Sequence, residues 1–410
     1  MQLMQLAYPR ILLRVLEHQL SELDVLWERR ELVLFDPELV LDDLAEIEAR
    51  AAAHLRGVLL GQGHALDRAR AALRGDETGA ATAAAFTLLD LGHAALRDEL
   101  LDVLRTAEAP IAHGIRIALR HRPLGESEGV LREIADSAEP LARACAADVL
   151  AFQRRAAVES VRDLLGHADP AVRVLACESL GRWRSRWEPD DLVQLLESAA
   201  SPRLRRAALE TSARAGLPLV EPCRELGLRA SDPLREATAF LGVVGGADDV
   251  AELTAALRRP DVAESALAAL GALGFPTAMP AILDALFDPH TAHAAAAAFL
   301  RITGAENVRG EKRLPPPADL PEDDLPFWDD ELAVDPDLAA RWWRQSSARF
   351  DKEQRWQAGV SVSADPLGAS FARLPLQARR DTYLRACAAG AMELPDLELE
   401  TSAISQLRAS

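Results

Sequence analysis

The sequence predicts an all-α fold, a right-handed α-solenoid of stacked helical hairpins with a helical cap at each end. Three observations carry that expectation. Hydrophobic residues fill 49% of the 410 positions while aromatics fill only 5%, so the apolar content is mostly Ala and Leu, which favour helices over strands. Prolines return at a nearly constant interval along the middle of the chain. Behind several of them, apolar residues follow at helical spacing and stop near a glycine.

The interval is visible in Pro110, Pro140, Pro170, Pro202, Pro233, Pro260 and Pro289, which lie 27 to 32 residues apart. In "ADPAVRVLACESLGRW" (168–183) the Asp-Pro start supplies an acceptor for the first turn and a residue whose missing N–H is not needed there. Val172, Leu175, Ala176 and Leu180 fall on one face, and Gly181 is expected to close the helix in the left-handed conformation. Second amphipathic segments lie between these helices, at 189–199, 247–257 and 277–287. Each unit is therefore a hairpin. A hairpin of this size cannot bury its own apolar face, so neighbours must stack, and a period of 20–50 residues reads as a solenoid. Ala207, Ala208, Ala266, Ala268 and Ala295 are expected at inner positions where helices come close. The stretch "GVVGGADD" (242–249) has no Lys and no preceding strand, so it reads as a helix-to-helix turn and not a phosphate loop.

The organisation that follows is a helical cap over 1–74, the repeat array over 75–304, a Pro- and acid-rich tether over 305–337 and a Trp-containing helical segment over 338–410. In the cap, Leu12, Val15, Leu16, Leu23, Leu26 and Trp27 form one stripe; Phe35-Asp36-Pro37 breaks it, and a second helix is expected from Pro37 to about Leu60. In the last segment, Trp342 or Trp343, Phe350 and Trp356 lie about seven residues apart and are expected on one helix face. Two readings of them stand side by side. The helix folds back on the solenoid, or Trp328, Trp343 and Trp356 anchor a partner, since Trp is enriched at interface hot spots. A final helix is expected from about Leu376 to Met392, capping the array.

The proline and glycine grammar of 75–304 resembles HEAT repeats, in particular the short variety found in phycobilisome lyases. The combination of "LEHQLSELDVLWERR", a DP break, "LDDLAEIEARAAAHLRG" and the later repeats resembles a family of proteobacterial HEAT-repeat proteins often encoded beside type VI secretion genes. The matching positions are Glu17, His18, Trp27, Arg30, Leu44, Arg50, His54 and Gly57, and the resemblance implies no role for them. It implies a partner among the components or effectors of such a secretion system.

A formal net charge of -18 argues against nucleic acid, whose binding rests on a basic surface. One local basic cluster remains: Arg182, Arg184 and Arg186, with Arg203, Arg205 and Arg206 a repeat later. These are either solvated helix edges paired with neighbouring acids or a stripe for an acidic partner. Cys145, Cys177, Cys223 and Cys387 are widely spaced, so they read as core thiols of a reducing compartment. The first residues carry no signal-peptide pattern, and the most apolar run is too short to span a bilayer, so a cytoplasmic protein is expected. HEAT-like hydroxylases bind iron through His-Glu dipeptides, and none occurs here. His290 and His293 behind Asp288 make a weak metal pattern at most, and surface histidines are the default. No nucleophile motif is present. The expectation is therefore a non-catalytic, cofactor-free scaffold that binds another protein. An acidic immunity-type inhibitor of a basic toxin and a HEAT-fold lyase or metal-dependent enzyme are the alternatives.

Overall fold

A computed structural model describes residues 2–136, 139–155, 159–185, 189–199, 201–313, 332–362, 370–391 and 396–401. The chain forms two compact units, the first made of Met1–Leu217 with Cys387–Ser410, the second of Pro218–Ala386. The division falls inside the repeat array, after its fifth hairpin among the described residues. Both units belong to the all-α helical-repeat class.

The first unit opens with α1 (Gln2–Val33), α2 (Leu41–Leu59) and α3 (Gly63–Ala72). It continues through α4 (Thr78–Asp90), α5 (Ala94–Leu104), α6 (Ala109–Arg120), α7 (Ser127–Ala135) and α8 (Pro140–Phe152). A 3-10 segment over Glu159–Gly166 precedes α9 (Pro170–Trp183), α10 (Pro189–Ser198) and α11 (Pro202–Arg214). Helices α4, α6, α8, α9 and α11 pack in sequence as an inner layer, each backed by the element before it. The inner helices are apolar almost all round: on α8 every residue from Ala144 to Phe152 is buried, as expected of a helix covered on both sides. α1 packs on α2 and α4 and closes the free side of the first hairpin.

The prolines begin the inner helices. Asp169 caps α9 through a 2.8 Å bond from the Ala171 amide, and Ser201 caps α11 through a 3.2 Å bond from Leu204. In the first unit Pro110, Pro140, Pro170 and Pro202 occupy the first or second helical position. In the second unit the sequence marker moves ahead of the helix, because Pro260 and Pro289 sit second in tight turns. The turns close with Val262 N–H on Arg259 O at 3.1 Å and Thr291 N–H on Asp288 O at 3.0 Å, which is where a fixed φ suits a turn.

Several local expectations change. Gly181 does not end α9; Arg184 takes the left-handed position, at φ 57°. The glycine serves close packing instead, since a Cβ there would meet Thr211 Oγ1 at 2.7 Å on α11. Gly114 plays the same part between α6 and α4, where a Cβ would meet the Thr82 amide nitrogen at 2.7 Å. Ala207, Ala208, Ala266 and Ala295 are buried as expected, but Ala268 is exposed. In the cap Leu16, Leu23, Leu26 and Trp27 are buried while Val15 is exposed, and the side chain of Leu12 lies outside the described residues. α2 starts at Leu41, four residues later than expected, because Asp36 accepts the amides of Glu38 and Leu39, each at 2.8 Å, and holds a turn there.

The second unit holds α12 (Val220–Arg224), which runs into a wider π-turn over Glu225–Arg229, then α13 (Arg235–Val244), α14 (Asp249–Ala256), α15 (Ala263–Leu273), α16 (Met279–Ala285) and α17 (Ala292–Thr303). α13, α15 and α17 form its inner layer. Residues 242–249 are the turn from α13 to α14, where Asp249 accepts the Gly246 amide at 2.6 Å. The ends of the tether pair as a two-stranded antiparallel ribbon, β1 (Arg309–Arg313) with β2 (Leu332–Val334); the rest of it, 314–331, lies outside the described residues. α18 (Pro336–Ser346) follows, then a hairpin of β3 (Arg355–Gln357) and β4 (Val360–Val362). The last helix, α19 (Leu376–Ala388), buries Leu376, Tyr383 and Leu384 within this unit; Cys387, also buried, is the first residue of the chain's return to the first unit.

The Trp segment is not one helix. α18 stops at Ser346, and Asp351 accepts the Glu353 amide at 3.0 Å, turning the chain into a hairpin whose two-residue loop, Ala358-Gly359, has both φ values positive. This hairpin lies along the carboxyl ends of the inner helices. Trp356 N–H donates to Gly274 O at 2.8 Å, Ala358 N–H to Arg301 O at 2.7 Å, and Gln357 Nε2 to Gly271 O at 2.9 Å. Arg355 donates to Gly245 O and, at 3.2 Å, to Leu273 O, and Arg385 reaches Val243 O at 2.8 Å. Guanidiniums there satisfy orphan carbonyls and meet the negative ends of helix dipoles.

Candidate functional site

Arginines at a fixed place in the repeat build a polar buried region among the described residues of the first unit. Twelve residues after the prolines at 110, 140, 170 and 202 stand Arg122, Phe152, Arg182 and Arg214. They lie at the carboxyl ends of α6, α8, α9 and α11, so stacking the hairpins lines them up. Arg116 and Arg120, in the last turns of α6, and Arg30, near the end of α1, join the row.

Asp148 on α8 sits at its centre and is fully buried. It accepts from Arg116 Nη1 at 2.8 Å, Arg120 Nε at 2.6 Å and Arg182 Nη1 at 2.5 Å. Burial by itself would push this carboxyl up. The guanidiniums of Arg120, Arg182 and Arg116 outweigh that and hold it well below the usual carboxylate range. Phe152 gives Arg120 and Arg182 an aromatic face, with guanidinium carbons 5.1 and 5.9 Å from the ring centroid.

The remaining charge is met by the far end of the chain. Residues 396–401, "DLELET", lie on the row. Glu398 Oε2 accepts from Arg182 Nη2 at 2.7 Å and Arg120 Nη1 at 3.1 Å. Asp396 Oδ2 lies 3.4 Å from both Arg182 Nε and Arg214 Nη1. Glu400 accepts from Arg122 Nη1 at 3.0 Å. The main chain is read as well: Arg30 Nη2 donates to the Glu398 carbonyl at 2.7 Å, and the Thr401 amide and hydroxyl donate to Glu48 Oε2 at 2.8 and 2.6 Å. Arg182, between Asp148, Asp396 and Glu398, has its pKa held well above its ordinary value against the opposing effect of burial.

The expected basic stripe is thus only partly the observed one. Arg182 is 3% exposed at its side chain and faces these internal carboxylates, so it is not a surface contact. Arg184 is half-buried and reaches the Ala391 carbonyl at 3.3 Å. Arg203 and Arg206 are exposed on α11, Arg206 pairing with Glu210 at 3.0 Å, and Arg205 holds the Ala199 carbonyl at 2.9 Å. Arg186 lies outside the described residues. Arg30, Arg120, Arg122 and Arg214 were not among the expected site residues, although the twelve-residue offset from proline marks two of them.

In the second unit the aromatic residues do meet, by a different route from a shared helix face. Phe350 is buried, with ring centroids 5.2 Å from Trp343, 4.8 Å from Trp356 and 6.2 Å from Trp342, which itself stands 6.0 Å from Phe299 of α17. Trp343 and Trp356 are half-buried. Trp328 lies outside the described residues. Of the candidate ligands, His290 and His293 are exposed, and Asp288 is engaged by the His290 amide at 3.0 Å. Among the described residues no group of three or more His, Cys, Asp or Glu is arranged to hold a metal ion. Burial pushes the thiols of Cys145, Cys177 and Cys223 up to about 12, the opposite of a reactive thiolate. No described helix is long and apolar enough to cross a membrane.

Stacked two-helix units with an inner layer, a proline at the start of α6, α8, α9 and α11, and a row of polar side chains along one edge define an α-helical repeat protein. Residues 128–213 match the family model of HEAT repeats. That span runs from α7 to the end of α11 and carries Asp148 and Arg182. No curated protein matches the chain.

Proposed function

We propose that the protein is a non-catalytic scaffold that binds other proteins. The observation that carries this reading is the arginine row itself. Side chains contributed by separate repeats converge on an acidic segment remote in sequence, which is how a repeat array recognises a polypeptide. HEAT repeats commonly serve as interaction scaffolds, which agrees with it. The resemblance of the N-terminal helices and array to proteins encoded near type VI secretion genes supports a finer reading: a cytoplasmic adaptor, chaperone or regulator acting on a component or effector of such a system.

The test is capture of the tagged full-length protein from its native cell, identification of what copurifies, and reconstitution of the pair from purified proteins. A defined complex with a reproducible partner is expected. A chain that forms no complex and instead arrives with a bound chromophore or metal and turns over a substrate would refute the reading. As a second reading, the charge of -18 suits an inhibitor of a basic toxin; a one-to-one complex that abolishes toxicity would establish it.

A further inference from the structure

The segment that covers the arginine row has the character of a ligand more than of a core element. Leu397 and Leu399 are half-buried and add apolar contact, but the most buried side chains of the segment, Asp396, Glu398 and Thr401, are all polar. What holds it is ionic: Asp396, Glu398 and Glu400 each meet a guanidinium, and Arg30 and Glu48 read its main chain. The row demands such an occupant. Arg116, Arg120 and Arg182 are buried and share the carboxylate of Asp148, with Glu178 adding one 3.4 Å contact to Arg182. Three buried cations around one buried anion require further negative charge, because an uncompensated buried ion is strongly destabilising. A neutral or apolar peptide cannot supply it. An acidic segment can.

We propose that this row is a binding site for acidic peptide segments of a partner protein, of the pattern Asp-Leu-Glu-Leu-Glu-Thr or close to it, and that residues 396–401 occupy the site in cis until a partner's segment displaces them. The proposal rests on the scaffold reading and names the class of partner. An intramolecular occupant competes at an effective concentration in roughly the millimolar range, so the intact chain binds such peptides weakly and a chain with its own segment disabled binds them well.

The test uses the full-length chain carrying Asp396→Ala and Glu398→Ala, with a fluorescein-labelled peptide of the sequence DLELET as probe and anisotropy as readout. At least tenfold tighter binding than to the unaltered chain is expected. Adding Arg182→Ala should abolish the gain, raising the salt concentration should weaken it, and a peptide with Asn and Gln in place of its acids should not bind. A double variant that keeps its helical content and binds no better than the parent overturns the proposal, since the segment is then a fixed structural part. Should the double variant unfold, hydrogen exchange on the unaltered chain decides. Excess peptide must then raise exchange at residues 396–401 while leaving 116–120 and 180–184 protected, and no change overturns the proposal. A captured partner whose binding ignores these substitutions counts against this site alone, whereas peptide binding without any protein partner counts against the scaffold reading alone.

Discussion

Replacing Asp148 by Ala removes the one anion that three buried guanidiniums share. Its oxygens lie 2.5 to 2.8 Å from Arg182, Arg116 and Arg120. At an effective dielectric of about 20, each pair with charge centres about 4 Å apart contributes about 4 kcal/mol, so the gross attraction lost is on the order of 12 kcal/mol. Desolvating the carboxylate and crowding the three cations already offset most of that in the native state. Removing one member of a buried ion pair has a net effect of about 3–5 kcal/mol, and a central position puts Asp148→Ala in that range. Urea unfolding followed by circular dichroism reads it, with the two units treated as separate transitions if they separate. Arg132→Ala is the control, because its 2.5 Å pair with Glu128 is half-exposed and removing it should change stability by less than about 1 kcal/mol. A loss below about 1 kcal/mol for Asp148→Ala would refute the claim that this cluster locks the inner helices together.

Further outcomes are expected. Gly114→Ala forces a Cβ to within 2.6 Å of Ala81 Cβ and 2.7 Å of the Thr82 amide nitrogen and should lower the melting temperature through overpacking of about 1–3 kcal/mol, whereas Gly129→Ala on α7, with open space around it, should raise stability by about 0.5–1 kcal/mol. Burial and then Arg116 and Arg120 hold His113 down at about 3, and burial with Arg30 and Arg120 holds His121 well below its ordinary value. Both pKa values fall on folding, so their contribution is complete above about pH 6.5 and is lost as pH drops below it. About 1–2 kcal/mol from His113 should be gone by pH 5, and His113→Gln should flatten a plot of unfolding free energy against pH between 6.5 and 5. Trp356→Ala exposes Phe350 and should destabilise the second unit by about 2–4 kcal/mol; an unchanged unfolding curve together with lost partner binding would return Trp356 to the role of an anchor.

The architecture was legible because it is written locally. Asp169-Pro170 and Ser201-Pro202 announce helix starts through backbone chemistry within four residues, and the period repeats that message. The arginine row was half legible. The offset from proline to Arg122, Arg182 and Arg214 is plain once the repeat is aligned, but the partners of Arg182, Asp396 and Glu398, lie more than 200 residues away, and no local rule links them. Gly181 and the hairpin at 355–362 misled for a related reason. A glycine near a helix end signals a left-handed closure as readily as a close approach, and only the neighbouring helix with Thr211 decides. Phe350 and Trp356 fit a helical spacing, yet their true company is set by carbonyls on α15 and α17, which no spacing encodes.

The hairpin that lies across the second unit also acts as a yardstick. Arg355 bridges the ends of α13 and α15, Trp356 and Gln357 meet α15, and Ala358 meets α17. Repeat families lengthen and shorten by copying or deleting whole modules, and an unfastened array tolerates it. Here a copy inserted between α13 and α17 would put the fastenings on one side of it out of step with their sockets, so the strip fixes the spacing of these three modules.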